Sequence, residues 1–265
     1  EMRALVEEQV LPYLAARWPT RPRPVRWRTL RTTGVAESTL ADRIADLVPA
    51  LAPLSLAFLP STAGVDLRIA SFGALPEEEA DQALDAAETA LRERIGRSIY
   101  ARDGEDLVAV VGRALTERGL RLAIAESCTG GLIAKRLTDR AGASEYLIAG
   151  LVTYADAAKE RFLGVGPATL AEHGAVSEET VREMVAGVCQ ATGADAGIAV
   201  TGIAGPGGGT AEKPVGTVWV AASLGEVVQV RRFRFWGERE EIRERSAQGA
   251  LGMLWRLLMD SESGA

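Results

Sequence analysis

The sequence predicts an α/β protein in two parts: a small α+β unit and, after it, a three-layer α/β/α domain. Three observations carry this reading. Residues up to about 100 run helix, strand, helix, two strands, helix. From Gly104 onward, short apolar β-rich runs alternate with amphipathic helical segments, the pattern of a largely parallel sheet covered on both faces. Two glycine-rich turns, Thr129-Gly130-Gly131 and Gly202 to Gly209, follow strands in the second part, where open α/β sheets bind ligands. The boundaries expected are residues 1–101 for the first unit and 104–262 for the second.

In the first unit, Met2 to Ala16 places Leu5, Val6, Val10, Leu11 and Leu14 on one helical face, and Trp18-Pro19 with Pro22 and Pro24 stops the helix. Val25 to Thr33 reads as a strand. Glu37 to Val48 carries Leu40, Ile44 and Leu47 at helical spacing, with Ser38 as a candidate N-cap. Leu54 to Leu59 and Val65 to Phe72 are β-rich runs joined by Pro60-Ser61-Thr62-Ala63-Gly64, a hairpin signal. Pro76 to Ile95 is a long helix of Ala, Glu and Leu.

The second unit opens with a helix over Glu105 to Arg118, stopped by Gly119. The apolar run Arg121 to Ala125 then ends in a carboxylate and two hydroxyls, and the Gly130-Gly131 pair opens an amphipathic helix. Strand, tight turn and helix would leave free backbone N–H groups and the positive end of the helix dipole facing outward, a ready-made anion site. Tyr146 to Tyr154 reads as a strand and Ala155 to Leu163 as a helix. Ser177 to Thr192 is a helix capped by Ser177, and Ala194 to Val200 is a buried-type strand. Val215 to Ala222 and Val227 to Phe235 are two more strands, and Glu238 to Met259 is a closing helix whose tail frays.

Bulk properties narrow the function. The 265 residues are 47% hydrophobic and 25% charged, ordinary for a globular chain, with a net charge of −6 that disfavours sequence-independent nucleic-acid binding. No apolar stretch reaches the roughly 18 residues of a membrane span, and nothing N-terminal resembles a signal peptide, so the expected location is cytoplasmic. Cys128 and Cys189 are far apart and form no C-x-x-C pair, and His173 is the single histidine, so no metal site is expected. The helical periodicity begins directly at Glu1 with no cap before it, which reads as a cut chain with something upstream.

The element order of the first unit resembles K-homology domains, which clamp single strands with a Gly-x-x-Gly loop. That loop is absent: Gly34, Gly64, Gly73 and Gly96 stand alone. Arg17, Arg21, Arg23, Arg26, Arg28 and Arg31 around Trp18 and Trp27 do form a basic, aromatic stretch. Its plainer reading is a solvated edge strand with one arginine-bearing face.

For chemistry, the candidate nucleophiles are Ser127, Cys128, Thr129 and Ser144, and the candidate bases Lys159, Lys213, Tyr154, Glu126 and His173. With one histidine, a lysine is the alternative base, since a buried neutral ε-amine takes a hydroxyl proton. His173, in Glu172-His173-Gly174, suits a helix end, and Cys189 suits a core. Cys128 is either a thiolate favoured by the anion site or a small buried side chain. The loop Gly205-Pro206-Gly207-Gly208-Gly209-Thr210 lacks the Gly-Lys-Ser/Thr ending of a P-loop, but Lys213 sits beside glycine backbone that allows close approach.

Five ordered motifs then carry a family resemblance: Ala125-Glu-Ser-Cys-Thr-Gly-Gly131; Ala141-Gly-Ala-Ser144; Val152-Thr-Tyr154 with Lys159; His173-Gly-Ala-Val-Ser177; and Thr201-Gly-Ile-Ala-Gly-Pro206 through Lys213-Pro-Val-Gly-Thr217. Together they resemble the C-terminal nicotinamide mononucleotide deamidase domain of the CinA family, over nearly all of Gly104 to Met259. The first half, through Thr33-Gly-Val-Ala-Glu-Ser38 and Leu59-Pro60 to Leu67-Arg68, is similar to the K-homology-like middle domain of long CinA proteins, whose preceding nucleotide-processing domain is not in this sequence. The resemblance implies hydrolysis of a carboxamide to nicotinic acid mononucleotide and ammonia, in pyridine nucleotide salvage, without metal or cofactor. Carried over by motif, Ser144 is the nucleophile, Lys159 its base and Tyr154 an orienting hydroxyl, with Ser127 the alternative nucleophile. The nucleotide would be held by Glu126, Ser127, Thr129, Gly130, Gly131, Thr201, Gly202, Gly205, Lys213 and an arginine of the Arg239 to Arg243 segment; Gly207 departs from relatives that carry an acid there. A homodimer, no membrane and no nucleic-acid partner complete the expectation. The alternative is a nucleic-acid-binding or structural module with a vestigial pocket.

Overall fold

The computed structural model describes residues 2–17 and 23–262. Trp18, Pro19, Arg21 and Pro22, used above for the helix stop and the basic stretch, lie outside the described residues, as do residues 263–265 of the tail expected to fray. Helix α1 (Met2–Leu5), a π-helical turn (Val6–Val10) and α2 (Leu11–Arg17) follow one another, as the periodicity predicts. Their apolar residues Leu5, Val6, Val10, Leu11 and Leu14 are all exposed.

The first sheet is antiparallel, in the order β2-β3-β1-β4, from β1 (Arg26–Thr32), β2 (Ser55–Ser61), β3 (Gly64–Ser71) and β4 (Ile99–Arg102). Helices α3 (Glu37–Ile44) and α4 (Glu77–Ile95) complete a core of Leu30, Leu67 and Ile69 against Leu40, Ile44, Leu84 and Leu91. Each such side chain removes apolar area from water, at about 1.5–3 kcal/mol per residue. Three expectations need correction. β1 is a central strand, flanked by β3 and β4, and not an edge. Its arginines are neutralised within the unit by the acidic flank of α4: Arg26 pairs with Glu77 and Asp81 at 2.7 and 2.5 Å, and Arg28 with Asp85 and Glu88 at 2.6 and 3.0 Å. The cap of α3 is Ala36, which offers no side-chain acceptor, so Ser38 lies inside the helix.

The second sheet runs β6-β5-β7-β8-β9, from β5 (Leu122–Glu126), β6 (Leu147–Val152), β7 (Ala196–Gly202), β8 (Thr217–Leu224) and β9 (Val227–Arg234). β6, β5 and β7 are parallel, while β8 and β9 continue the sheet antiparallel. Strand alternation sends Leu122, Ile124, Ile198 and Val200 toward α5 (Leu107–Glu117), α6 (Leu132–Thr138) and α10 (Arg239–Glu262). It sends Ala123, Ala125, Ala199 and Ala221 toward α9 (Glu178–Thr192), with α7 (Asp156–Leu163) and α8 (Pro167–His173) alongside. Small residues on that face let the bulky Val181, Met184, Val185 and Val188 of α9 seat closely.

The two sheets are joined by α10 from its middle onward. Gln248 donates to the Thr33 hydroxyl at 3.4 Å and Arg256 to the Thr33 carbonyl at 3.0 Å, and Asp260 pairs with Arg97 at 2.5 Å.

α7 and α9 cross at Gly187, where an added Cβ would lie 1.8 Å from the Leu163 carbonyl oxygen, a contact only backbone movement relieves. Gly187→Ala is expected to destabilise the protein by about 1–3 kcal/mol through overpacking, outweighing the gain in helix propensity. The urea midpoint of unfolding reads this directly.

Candidate functional site

The polarity of the second sheet decides which residues meet. The loops after β5, β6 and β7 leave its carboxyl-terminal end, and so does the segment from β9 into α10, because β9 returns parallel to β7. The chain leaves β5 toward β6 on one side and β7 toward β8 on the other, so the topological switch point lies between β5 and β7. Ser127 stands there, its N–H donating to the Val200 carbonyl at 3.0 Å.

The turn above β5 is organised by Glu126, which is fully buried. One carboxylate oxygen accepts from the N–H groups of Gly131 and Ile133 at 3.0 and 3.1 Å, and the other from Ala134 at 2.9 Å. The expected anion site at the start of α6 is therefore filled by the chain's own carboxylate, and Glu126 holds the turn where contact with the nucleotide had been expected. Gly130 and Gly131 take φ of 60° and 89°, which side-chain-bearing residues avoid. Among the described residues the N–H groups of Cys128 and Thr129 have no acceptor, and the Ser127 hydroxyl has no partner.

The β6 loop lies alongside, with Thr153 donating its N–H to the Glu126 carbonyl at 2.8 Å. Lys159 is 1% exposed; its Nζ donates to the Tyr154 carbonyl at 3.1 Å and reaches Asp156 Oδ1 at 3.5 Å. From α10, Arg239 donates to the Gly205 carbonyl and, at 3.0 Å, to the Tyr154 hydroxyl, which ties three loops together. Arg243 donates to the Thr129 carbonyl from Nε and Nη2, at 3.2 and 2.9 Å. Thr201 donates its hydroxyl to Ala175, and Lys213 reaches the His173 carbonyl at 2.8 Å, so both brace the β7–β8 loop, with Gly202 and Gly205 at its start. Reasoning from sequence passed over Thr153 and Thr217. Their buried hydroxyl oxygens, and that of Thr129, lack hydrogen-bond partners among the described residues, and all three sit at this same end of the sheet. Buried unpaired hydroxyls are uncommon and mark a place where an incoming group can bind. The signal available in the sequence was their position directly at strand ends.

Ser144 is elsewhere. It lies on the 3-10 turn Ala143–Glu145 before the first residue of β6, at the amino-terminal end of the sheet, where Leu122 donates to the Tyr146 carbonyl at 2.7 Å. Six strand residues at about 3.3 Å each put it about 20 Å from the end that carries Lys159. Within one chain Ser144 and Lys159 lie at opposite ends of the sheet, whereas Ser127 and Lys159 lie beyond neighbouring strand ends. Of the two readings of Cys128, the structure supports the buried one: burial pushes its thiol up to about 12. Cys189 is partly buried, 3.5 Å from the Ser223 hydroxyl. His173 closes α8, as expected of a helix end. Among the described residues no group of three His, Cys, Asp or Glu could hold a metal ion.

Residues 104–258 match the model of the CinA C-terminal domain, and residues 27–101 that of the damage-inducible protein CinA KH domain. The chain belongs to the CinA family. A CinA-like protein of Gemmatimonas aurantiaca is 47% identical over 256 residues, 97% of this chain and 60% of that protein. A CinA-like protein of Geobacter sulfurreducens is 42% identical over 259 residues, 98% of this chain and 62% of that one. This chain thus spans about three-fifths of the length of such CinA relatives. Among solved CinA structures, the competence/damage inducible protein CihA of Agrobacterium tumefaciens is 45% identical with a TM-score of 0.55, over 56% of this chain and 91% of that one. The CinA superfamily protein KP700603 of Klebsiella pneumoniae is 42% identical with a TM-score of 0.57, over 58% and 96%.

Two outcomes follow from this geometry. Glu126→Ala leaves three N–H groups, that of Ile133 buried, without their charged acceptor and is expected to cost about 2–3 kcal/mol, read as a lower denaturation midpoint. Because burial raises both thiols, Cys128 to about 12, they stay protonated at pH 8 and should react slowly with a disulfide reagent until the chain is unfolded.

Proposed function

We propose that this chain hydrolyses the carboxamide of nicotinamide mononucleotide to the carboxylate and ammonia, with Ser127 as nucleophile and Lys159 as its base. The observation that carries this reading is the placement of an unpartnered serine hydroxyl at the switch point, beside two unpaired backbone N–H groups and the strand end that carries a buried lysine.

In the steps this arrangement supports, Lys159 takes the Ser127 proton while Oγ attacks the carboxamide carbon. The N–H groups of Cys128 and Thr129 are the donors offered to the developing oxyanion. Protonation of the leaving nitrogen releases ammonia and leaves an ester on Ser127, which water cleaves with Lys159 again accepting a proton. Tyr154, held by Arg239, orients the lysine loop. Arg239, Arg243 and Lys213 bring three cations to the same rim and suit the 5′-phosphate, and the unpaired hydroxyls of Thr129 and Thr153 suit the ribose. A nucleotide-type small molecule is the substrate class that CinA membership supports. Cytoplasmic location and self-association as a homodimer belong to this proposal; among the described residues no helix is long and apolar enough to cross a membrane. The nucleic-acid alternative is disfavoured by the α4 carboxylates that neutralise the arginines of β1.

Ammonia release from nicotinamide mononucleotide is the test. Ser127→Ala and Lys159→Met should each lower turnover at least about a thousandfold, and Tyr154→Phe by a smaller factor. Ser144→Ala should retain near-normal turnover. Loss of activity in Ser144→Ala with retention in Ser127→Ala would overturn the assignment.

A further inference from the structure

Between the first sheet and α10 lies a cleft of about 340 Å³ that shares no lining residue with the candidate site. One wall is the segment 33–36 with the β2–β3 turn, and the other is Arg231, Phe233 and Phe235 of the β9 region with Arg245 and Gln248 of α10. Its size falls in the range of small-molecule pockets, and it sits between two packed units, where such pockets concentrate.

The lining has a consistent chemistry. Phe233 and Phe235 are stacked face to face, ring centroids 5.1 Å apart and 12° from parallel, and both are half-buried, so the pair forms an apolar wall in which Phe235 is the outer ring. Arg231 lies over Phe233 at 4.8 Å. Among the described residues neither Arg231 nor the neighbouring Arg256 has a carboxylate within ion-pair distance, whereas Arg26, Arg28, Arg92 and Arg94 of the first unit are each matched by one. Arg256 is turned to the Thr33 carbonyl, and burial together with the charge of Arg231 holds its pKa below the usual arginine range. Arg245 adds a third guanidinium, set by the Trp236 carbonyl at 2.6 Å and only loosely paired with Glu241 at 3.7 Å. Arg231 and Arg256, like charges with no ion-pair partner among the described residues, repel, and a bound anion relieves that repulsion. The turn opposite contributes the hydroxyls of Ser61 and Thr62.

We infer that this cleft binds a nucleoside monophosphate, its base against the Phe235 ring, its sugar toward the β2–β3 turn and its phosphate between Arg231 and Arg245. The assignment does not depend on the reaction proposed above.

Calorimetric titration of the 265-residue chain with AMP, adenosine and inorganic phosphate tests it. AMP is expected to bind, with adenosine and phosphate each at least about tenfold weaker, because each offers half of the contacts. Arg231→Glu should weaken AMP at least about tenfold, while Arg231→Lys, which keeps the charge, and Arg239→Gln, in the candidate active site, should stay close to the parent. Circular dichroism checks the folding of Arg231→Glu. Thr62→Trp, on the exposed turn, blocks the cleft by bulk and should abolish binding independently. Absence of AMP binding, phosphate binding as tightly as AMP, or loss of binding in Arg239→Gln with retention in Arg231→Glu would each overturn the inference.

Discussion

The arrangement of the second unit depends on one buried carboxylate. Glu126 ends β5, and its two oxygens accept three N–H groups from the first turn of α6, so strand, turn and helix are locked at one point. The helix dipole favours the negative charge there, and the three donors compensate its loss of water. Everything between is thereby held: Gly130 and Gly131 turn the chain with positive φ, and Ser127, Cys128 and Thr129 keep their N–H groups away from the helix ladder. The cost of this device is that the α6 amino terminus is no longer open to a ligand. An anion at this end of the sheet must be met by side chains, and α10 brings Arg239 and Arg243 to the place.

Helix α10 links the two halves of the molecule. Its first turns hold the loops after β5, β6 and β7 through two arginines, and farther along it Gln248 and Arg256 hold Thr33 of the first unit. Gln248 also accepts from Arg136 of α6 at 2.8 Å, so the helix that begins at the Glu126 turn is braced against the same contact. The first unit is therefore connected mechanically to the candidate site through hydrogen bonds along one rigid element. The cleft lined by Arg231 and Phe233 opens beside that connection.

Much of this was legible in the sequence because it is local. The apolar runs of β5 and β7, the paired glycines after Glu126, the Ser177 cap of α9 and the hairpin at 60–64 each follow from periodicity or turn chemistry over a few residues. What was misread is non-local. The arginines of β1 read as a basic face because their partners on α4 stand some fifty residues away, so nothing near Arg26 in the chain announces Asp81. The four-residue β4 and the seven-residue α8 were too short to show a period. Ser38 looked like a cap by residue type, yet the helix starts two residues earlier, where Ala36 takes the extended conformation.

The amino-acid sequence by itself determined the family, the two-part architecture and the residue types available for chemistry, since motif order, hydrophobic period and turn residues are properties of contiguous chain. Only the tertiary structure decided which of those residues share a site. Ser144 is fifteen positions from Lys159 and Ser127 is thirty-two, so distance along the chain pairs Ser144 with the lysine. A parallel strand reverses that order. β6 carries the chain from one end of the sheet to the other between Ser144 and Lys159, and its pairing with β5 brings the Ser127 turn level with the lysine loop.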